Sequence, residues 1–256
     1  KLVKILTKYG FRDVLARLNV PTDTGTDEDG KAVALSFYER VRKALEDLGP
    51  TFVKLGQSVS DRDDLLPPEF IEQLRHLQDK VATVDLDLKA ILTEEFGEVV
   101  GQYFDELPTT PIAAASIAQV YKATMKSGEP VIIKVKRPGI DQVIADDLLI
   151  LKDLVALIDT YSEFAEQLNL KHAIQAFEKS LLEELSLSNE KNNIVRFKKN
   201  FPTSKKTYVP KVYEDLCSDG VLTMEFVEGM KVTDVKSLTA AGIDPKKIAQ
   251  RGFSVF

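Results

Sequence analysis

The sequence predicts an α+β protein, in which a helical first part precedes a small antiparallel sheet with further helices around it. Three observations carry this. Apolar residues recur at helical spacing through the first hundred residues. From Pro111 a small-residue stretch leads into two β-rich segments separated by Ser127-Gly128, which reads as a hairpin. A second β-rich pair, 208–215 and 221–226, surrounds the reversal Cys217-Ser218-Asp219-Gly220. The organisation that follows is helical over 1–100, sheet-bearing over 101–230 with an inserted helix at about 141–164, and helical again over 231–256.

Composition limits the function classes. The 256 residues suit one large domain or two small ones, and 44% hydrophobic content is enough for a sizeable core. With 34 basic and 40 acidic residues the formal net charge is -6, and Trp is absent. Such a chain is a poor general nucleic-acid binder, because neutralising phosphates supplies most of that affinity. The lone Cys217 excludes an internal disulfide and fits a reducing compartment. His76 and His172 lie far apart with no cysteine nearby, which argues against a histidine-rich metal site. No apolar run approaches the ~20 residues that span a bilayer, and there is no secretory h-region. The chain begins and ends inside helical patterns, so it reads as cut from a longer protein at both ends.

Residues 1–19 carry Leu2, Ile5, Leu6, Tyr9, Val14, Leu15 and Leu18 at roughly helical spacing, with Lys1, Lys4 and Lys8 as a basic stripe. That stripe is either a solvated helix face or a contact for an anionic membrane surface. Residues 21–30 hold no large apolar side chain and read as a loop. A helix from about 32 to 48 ends at Gly49, and Pro50 opens the next, where its missing N–H costs nothing. In that helix Lys54 and Gln57 share a face. Gly56 costs about 1 kcal/mol against Ala in a helix interior, which points to close approach by another backbone or a ligand. Taken alone, Lys54-Leu55-Gly56-Gln57 is a pattern that any packed helix also supplies. Pro67-Pro68 begins a helix with Phe70, Ile71, Leu74 and Leu77 on its apolar face, and an amphipathic segment over 86–96 stops at Gly97. Tyr103-Phe104-Asp105-Glu106-Leu107 reads as a short strand, and 108–111 as a linker.

The first hairpin strand sets Ile117, Gln119 and Tyr121 on one face and Ala118, Val120 and Lys122 on the other. On the second, Val131, Ile133 and Val135 oppose Ile132, Lys134 and Lys136. Lys134 is thus either a surface lysine or one aimed into a pocket. Pro138-Gly139 closes the strand. A helix over about 141–164 follows, then a second over about 170–199 that holds Glu183, Glu184 and Glu190. Singly, these read as solvated helix charges. Phe197-Lys198-Lys199 with Lys205-Lys206 reads as a solvated basic turn. Helices over about 235–241 and 245–256 end the sequence, which contains no internal repeat.

The order of these parts, ending in Met224-Glu225-Phe226-Val227-Glu228-Gly229, is similar to that of a protein-kinase N-lobe and hinge. An ordinary kinase carries Gly-x-Gly-x-x-Gly in its phosphate loop; this chain has Ala113-Ala114-Ala115-Ser116. Upstream stand Phe52-Val53-Lys54-Leu55-Gly56-Gln57 and Leu65-Leu66-Pro67-Pro68-Glu69-Phe70. Downstream stand Lys134 to Gly139 and Glu183-Glu184-Leu185 with Asn189-Glu190. In this combination the chain resembles the UbiB family of atypical kinases over nearly its whole length. The fold implied is a protein-kinase-like N-lobe, an antiparallel sheet with a helix C, preceded by a helical extension and with most of the C-lobe missing.

The resemblance also implies roles. Lys134 would contact the α- and β-phosphates of ATP, and Glu190 would be the helix-C glutamate that holds it, since a buried ammonium needs a partner. These are the expected catalytic residues. Ala113, Ala114, Ala115 and Ser116 would cover the phosphates with backbone N–H groups. Met224 would be the gatekeeper, and Glu225 and Val227 would offer backbone groups to adenine, their side chains mattering little. Lys54, Gln57 and Glu184, the acid of a Glu-x-Asp motif, would form a regulatory set over the active site that bars protein substrates. The cofactors implied are ATP and Mg²⁺; the metal ligands and the catalytic Asp would lie beyond Phe256, with no metal ligand in this chain.

Two departures stand out. Ser186 occupies the third position of the Glu-x-Asp motif, where a hydroxyl is a weaker metal ligand and brings no charge. The sequence also stops before the catalytic loop, so the chain alone is expected to turn over no ATP. Alanine in place of glycine in the phosphate loop is consistent with altered nucleotide preference, because a Cβ restricts the backbone. The leading expectation is an ATP-binding atypical kinase or ATPase that supports isoprenoid-quinone biosynthesis. Its partners would be ATP or ADP and an isoprenoid-quinone precursor or other lipid. Its place would be cytoplasmic and peripheral at the inner membrane, or organellar in a eukaryote. The alternative is a non-catalytic module in which nucleotide binding switches a lipid- or partner-binding surface. A helical scaffold without nucleotide leaves the ordered motif set unexplained.

Overall fold

The computed structural model describes residues 1–11, 35–60, 66–77, 83–161, 170–201 and 207–254. Among the described residues four helices come first: α1 (Leu2–Lys8), α2 (Phe37–Leu48), α3 (Pro50–Ser60) and α4 (Pro68–Arg75). A capping box opens α2: Ser36 Oγ accepts the Glu39 N–H at 3.2 Å, and the Glu39 carboxylate accepts the Ser36 N–H at 2.8 Å. Two donors that a helix start leaves orphaned are thereby satisfied. Gly49 ends α2 at φ 116° and Pro50 opens α3 at once, as the sequence suggests. The helix expected from about 32 begins at Phe37, where Ser36 caps it; the expected loop at 21–30, Leu65, the end of the helix expected at 164, and Lys205-Lys206 lie outside the described residues.

Next come α5 (Leu88–Phe96), a 3₁₀ turn (Gly97–Val99) and α6 (Val100–Tyr103). The strand expected over 103–107 is absent: Tyr103 ends a helix. Val100 and Phe104, four residues apart, both turn inward at 6% and 5% exposure, so helical spacing prevails over aromatic β-propensity. The sheet follows as β1 (Ala113–Ala114), β2 (Ala118–Thr124), β3 (Pro130–Lys136) and β4 (Val221–Glu225), antiparallel in the order β1-β2-β3-β4. Gly128 turns the β2–β3 hairpin at φ 86°. β1 is formed by alanines of the small-residue stretch that leads into the hairpin. The expected strand over 208–215 reduces to a single bridge, Val212 to Met224, followed by a 3₁₀ turn at Glu214–Leu216. Pro210 has no N–H to give a ladder there.

Between β3 and β4 run α7 (Ile140–Tyr161), α8 (Leu170–Leu185) and α9 (Leu187–Asn200); α10 (Val235–Ala240) and α11 (Pro245–Phe253) close the described chain. The helix expected over 170–199 is two helices. Ser186 adopts an extended backbone (φ -85°, ψ 108°) and its hydroxyl caps α9 by accepting the Asn189 N–H.

The chain divides into two compact units. The first comprises Lys1–Ala82, Ala115–Ile117 and Arg137–Leu185 and is helical. Its core joins Leu48 and Phe52 to Ile140, Ile144, Leu148, Leu181 and Leu185, and a smaller cluster joins Val53, Leu74 and Leu77. The second comprises Thr83–Ala114, Ala118–Lys136 and Ser186–Phe256 and holds the sheet. Its core sets Leu88, Leu92, Val100 and Phe104 against Tyr121, Val131, Ile133, Val135 and Val221. The class is α+β, as expected.

Candidate functional site

One row of residues crosses the sheet: Ala113 pairs with Val120, Val120 with Lys134, and Lys134 with Leu222. Directly opposed residues of antiparallel strands point to the same side, so these four share a face. Lys122, Ile132 and Met224 form the next row of that face. The other face carries Tyr121, Val131, Ile133, Val135 and Val221, each 0–1% exposed in the core. Lys134 therefore rises from the side that this core does not use, and Met224 shares that side.

Helix α9 supplies its partner. Leu187, 1% exposed, roots the first turn, and Glu190, three residues on, lies on the same helix face. Lys134 Nζ donates to Glu190 Oε2 at 2.6 Å, with the two side chains 28% and 35% exposed. An ammonium held in this way has donors to spare.

The remaining expected residues are placed as follows. Ala113 and Ala114 are β1, in the sheet unit. In the helical unit, Arg137 Nε donates to the Ala115 carbonyl at 3.0 Å and the Arg137 N–H to the Ile117 carbonyl at 2.9 Å. Because C=O and N–H oppose each other across a trans peptide, the Ser116 N–H is directed away from Arg137. Ser116 itself is 4% exposed. Val227 is exposed. The Glu225 side chain has a task that the sequence did not suggest. Its carboxylate accepts the Tyr208 hydroxyl and, at 3.1 Å, the Lys211 N–H. These bonds, that of Tyr208 first, hold its carboxyl below the usual range and pin the segment 208–211 beside β4.

In the helical unit Lys54 Nζ lies 2.7 Å from Glu184 Oε1, and Gln57 Nε2 donates to the Leu77 carbonyl at 3.2 Å. Lys54 and Glu184 are thus brought together, and Gln57 ties α3 to the residues after α4. A Cβ at Gly56 would overlap Leu77 Cδ1 and meet Leu45 Cδ1 at 3.1 Å. The close approach at this glycine is made by leucine side chains, not by another backbone. Sequence reading also missed Gln119, which is fully buried and holds the Val84 main chain, and Asp147, a buried carboxylate on α7 that accepts the Thr51 hydroxyl at 2.9 Å.

Among the described residues no three His, Cys, Asp or Glu side chains cluster as a metal site needs. Nor is any helix among them long and apolar enough to cross a membrane.

Residues 76–256 match the family model of the ABC1 atypical kinase-like domain. The chain belongs to the UbiB family of atypical kinase-like proteins. It is 42% identical over 227 residues to the probable protein kinase UbiB of Pseudomonas entomophila, covering 88% of this chain and 42% of that one. It is 38% identical over 264 residues to the corresponding protein of Pectobacterium carotovorum, covering 100% and 48%. The chain thus spans less than half the length of these UbiB relatives. Among solved structures, Rv3197 of Mycobacterium tuberculosis in its complex with erythromycin is similar at a TM-score of 0.51. The identity is 26%, over 74% of this chain and 48% of that one. That likeness agrees with a kinase-like N-lobe in this UbiB chain.

Proposed function

We propose that this chain is the helical extension and N-lobe of an ATP-binding atypical kinase or ATPase of the UbiB type that supports isoprenoid-quinone biosynthesis. The observation that carries the proposal is the Lys134–Glu190 ion pair on the sheet face shared with Ala113 and Met224. A strand lysine fixed by a helix carboxylate meets the need of a polyphosphate for a positioned cation. Ala113, in the same row, brings only a methyl group to that face. In this reading Lys134 and Glu190 act on the phosphates, and the main chain of Ala113–Ser116 covers them. Met224 is the gatekeeper, and the main chain of Glu225 and Val227 receives the adenine. When bound, Mg²⁺ neutralises phosphate charge, and its ligands lie outside the residues described. Lys54, Gln57 and Glu184 regulate access. The quinone role and a peripheral place at a membrane rest on family membership.

Ser186 favours a second reading, a nucleotide-switched binding module, because it removes a charge from the Glu-x-Asp motif. Full-length protein distinguishes the two. A ligand that binds only the folded state adds about 2.7 kcal/mol at about 100 times its Kd, so MgATP should raise the thermal midpoint clearly. Lys134→Met should abolish that rise. ATP turnover stimulated by lipid supports the enzyme; binding without turnover supports the module. A midpoint that MgATP leaves unmoved overturns both.

A further inference from the structure

Asp219 lies in the reversal before β4 and has no part in the roles above, yet its carboxylate gathers the start of α9. Ser186 Oγ donates to its Oδ1, Lys136 Nζ to its Oδ2 at 2.7 Å, and the Ser188 N–H to the same carboxylate. The Asp219 carbonyl accepts the Leu187 N–H at 3.3 Å. Ser186, Leu187 and Ser188 are the N-cap and the first two positions of α9, where main-chain donors lack partners within the helix. An anion there also meets the positive end of the helix dipole. Lys136 stands two residues beyond Lys134 on the same side of β3, and its side chain is only 11% exposed. Asp219 is 60% exposed, and an exposed ion pair alone contributes little. What distinguishes this carboxylate is that it bonds to a strand and to a helix start together, and Glu190 lies in that same stretch of helix.

We propose that Asp219 is a positioning residue: with Lys136 and Ser186 it latches the start of α9 to β3 and so keeps Glu190 on Lys134. This also accounts for Ser186. A carboxylate at 186 would face the carboxylate of Asp219, whereas a hydroxyl donates to it; the charge absent from the Glu-x-Asp motif stands at 219 instead. The latch itself follows from these contacts, and only its effect on nucleotide rests on the proposed function.

The test is made on full-length protein with two readouts: amide hydrogen exchange over 187–194 and MgATP affinity. Losing one charge-assisted hydrogen-bond hub in Asp219→Asn should speed exchange at the start of α9 about tenfold, with β2 and β3 unaffected, and weaken MgATP about tenfold. Ser186→Asp should act in the same direction through like-charge repulsion. Combining the two changes leaves one carboxylate at the junction and should restore both readouts to within about twofold of the unaltered protein. The proposal is overturned if Asp219→Asn leaves exchange unchanged, if exchange quickens equally throughout the chain, or if the double variant is worse than either single one. If the unaltered protein binds no MgATP, the nucleotide reading fails, and the exchange data still decide the latch.

Discussion

Gln119 spends its whole amide inside the sheet unit. Its Oε1 accepts the Val84 N–H, and its Nε2 donates to the Val84 carbonyl and the Tyr121 hydroxyl, each at 3.0 Å. Gln119 and Tyr121 are both 0% exposed, so the Gln119 amide and the Tyr121 hydroxyl are closed to water. Gln119→Leu keeps the volume but takes the amide away from the buried Tyr121 hydroxyl and releases the Val84 main chain, and should destabilise the protein by about 1–3 kcal/mol. A denaturant midpoint within error of the unaltered protein would show that the Val84 segment is held by something else. Nothing in the sequence marks this residue, because a strand glutamine looks the same whether or not a segment 35 positions away comes alongside. Lys134 and Glu190, 56 positions apart, are no better marked by themselves. They became readable only through the order of the motifs around them. Asp219 sits in no motif, and its importance depends on a three-dimensional meeting of strand, turn and helix.

At the scale of elements, local chemistry was readable where it is covalent or nearly so. Gly49-Pro50 ends one helix and begins the next, and Gly128 turns the hairpin. The errors fell where two local preferences competed. Ser186 interrupts a long helical periodicity that continues on both sides; the signal was its own capping chemistry, a serine with an acceptor for the Asn189 N–H. Gly56 shows what close packing asks of one helix. Alanine there gains about 1 kcal/mol of helix propensity. Its methyl would enter space held by Leu77, 4% exposed, and Leu45, and overpacking of this kind costs about 1–3 kcal/mol. Gly56→Ala should therefore be net destabilising by about 1 kcal/mol, seen as a lower thermal midpoint, and in a Leu77→Ala background, itself less stable, the same change should lower the midpoint less or not at all. A higher midpoint for Gly56→Ala alone would mean that Leu77 moves aside freely.

For the whole molecule, chain order and spatial grouping differ. The helical unit gathers three stretches of sequence, and so does the sheet unit. A linear reading shows helices and then a sheet; it cannot show that α7 and α8, which follow β3, complete the core of the first helices. That core rests Leu48 and Phe52 on Ile140, Ile144, Leu148, Leu151, Leu181 and Leu185. Among the described residues, a fragment of residues 1–82 keeps the small cluster of Val53, Leu74 and Leu77 and loses every partner of Leu48 and Phe52 from Ile117 onward. Each large apolar side chain it exposes forfeits about 1.5–3 kcal/mol. Its α1 to α4 are 7 to 12 residues long, and isolated helices shorter than about 12–15 residues are marginal in water. The fragment should show weak helical circular dichroism, no cooperative melt and poorly dispersed amide resonances. Adding a peptide of residues 137–185 should raise its helicity beyond the sum of the two spectra. A fragment 1–82 that melts cooperatively by itself would show that the first helices need no later sequence to fold.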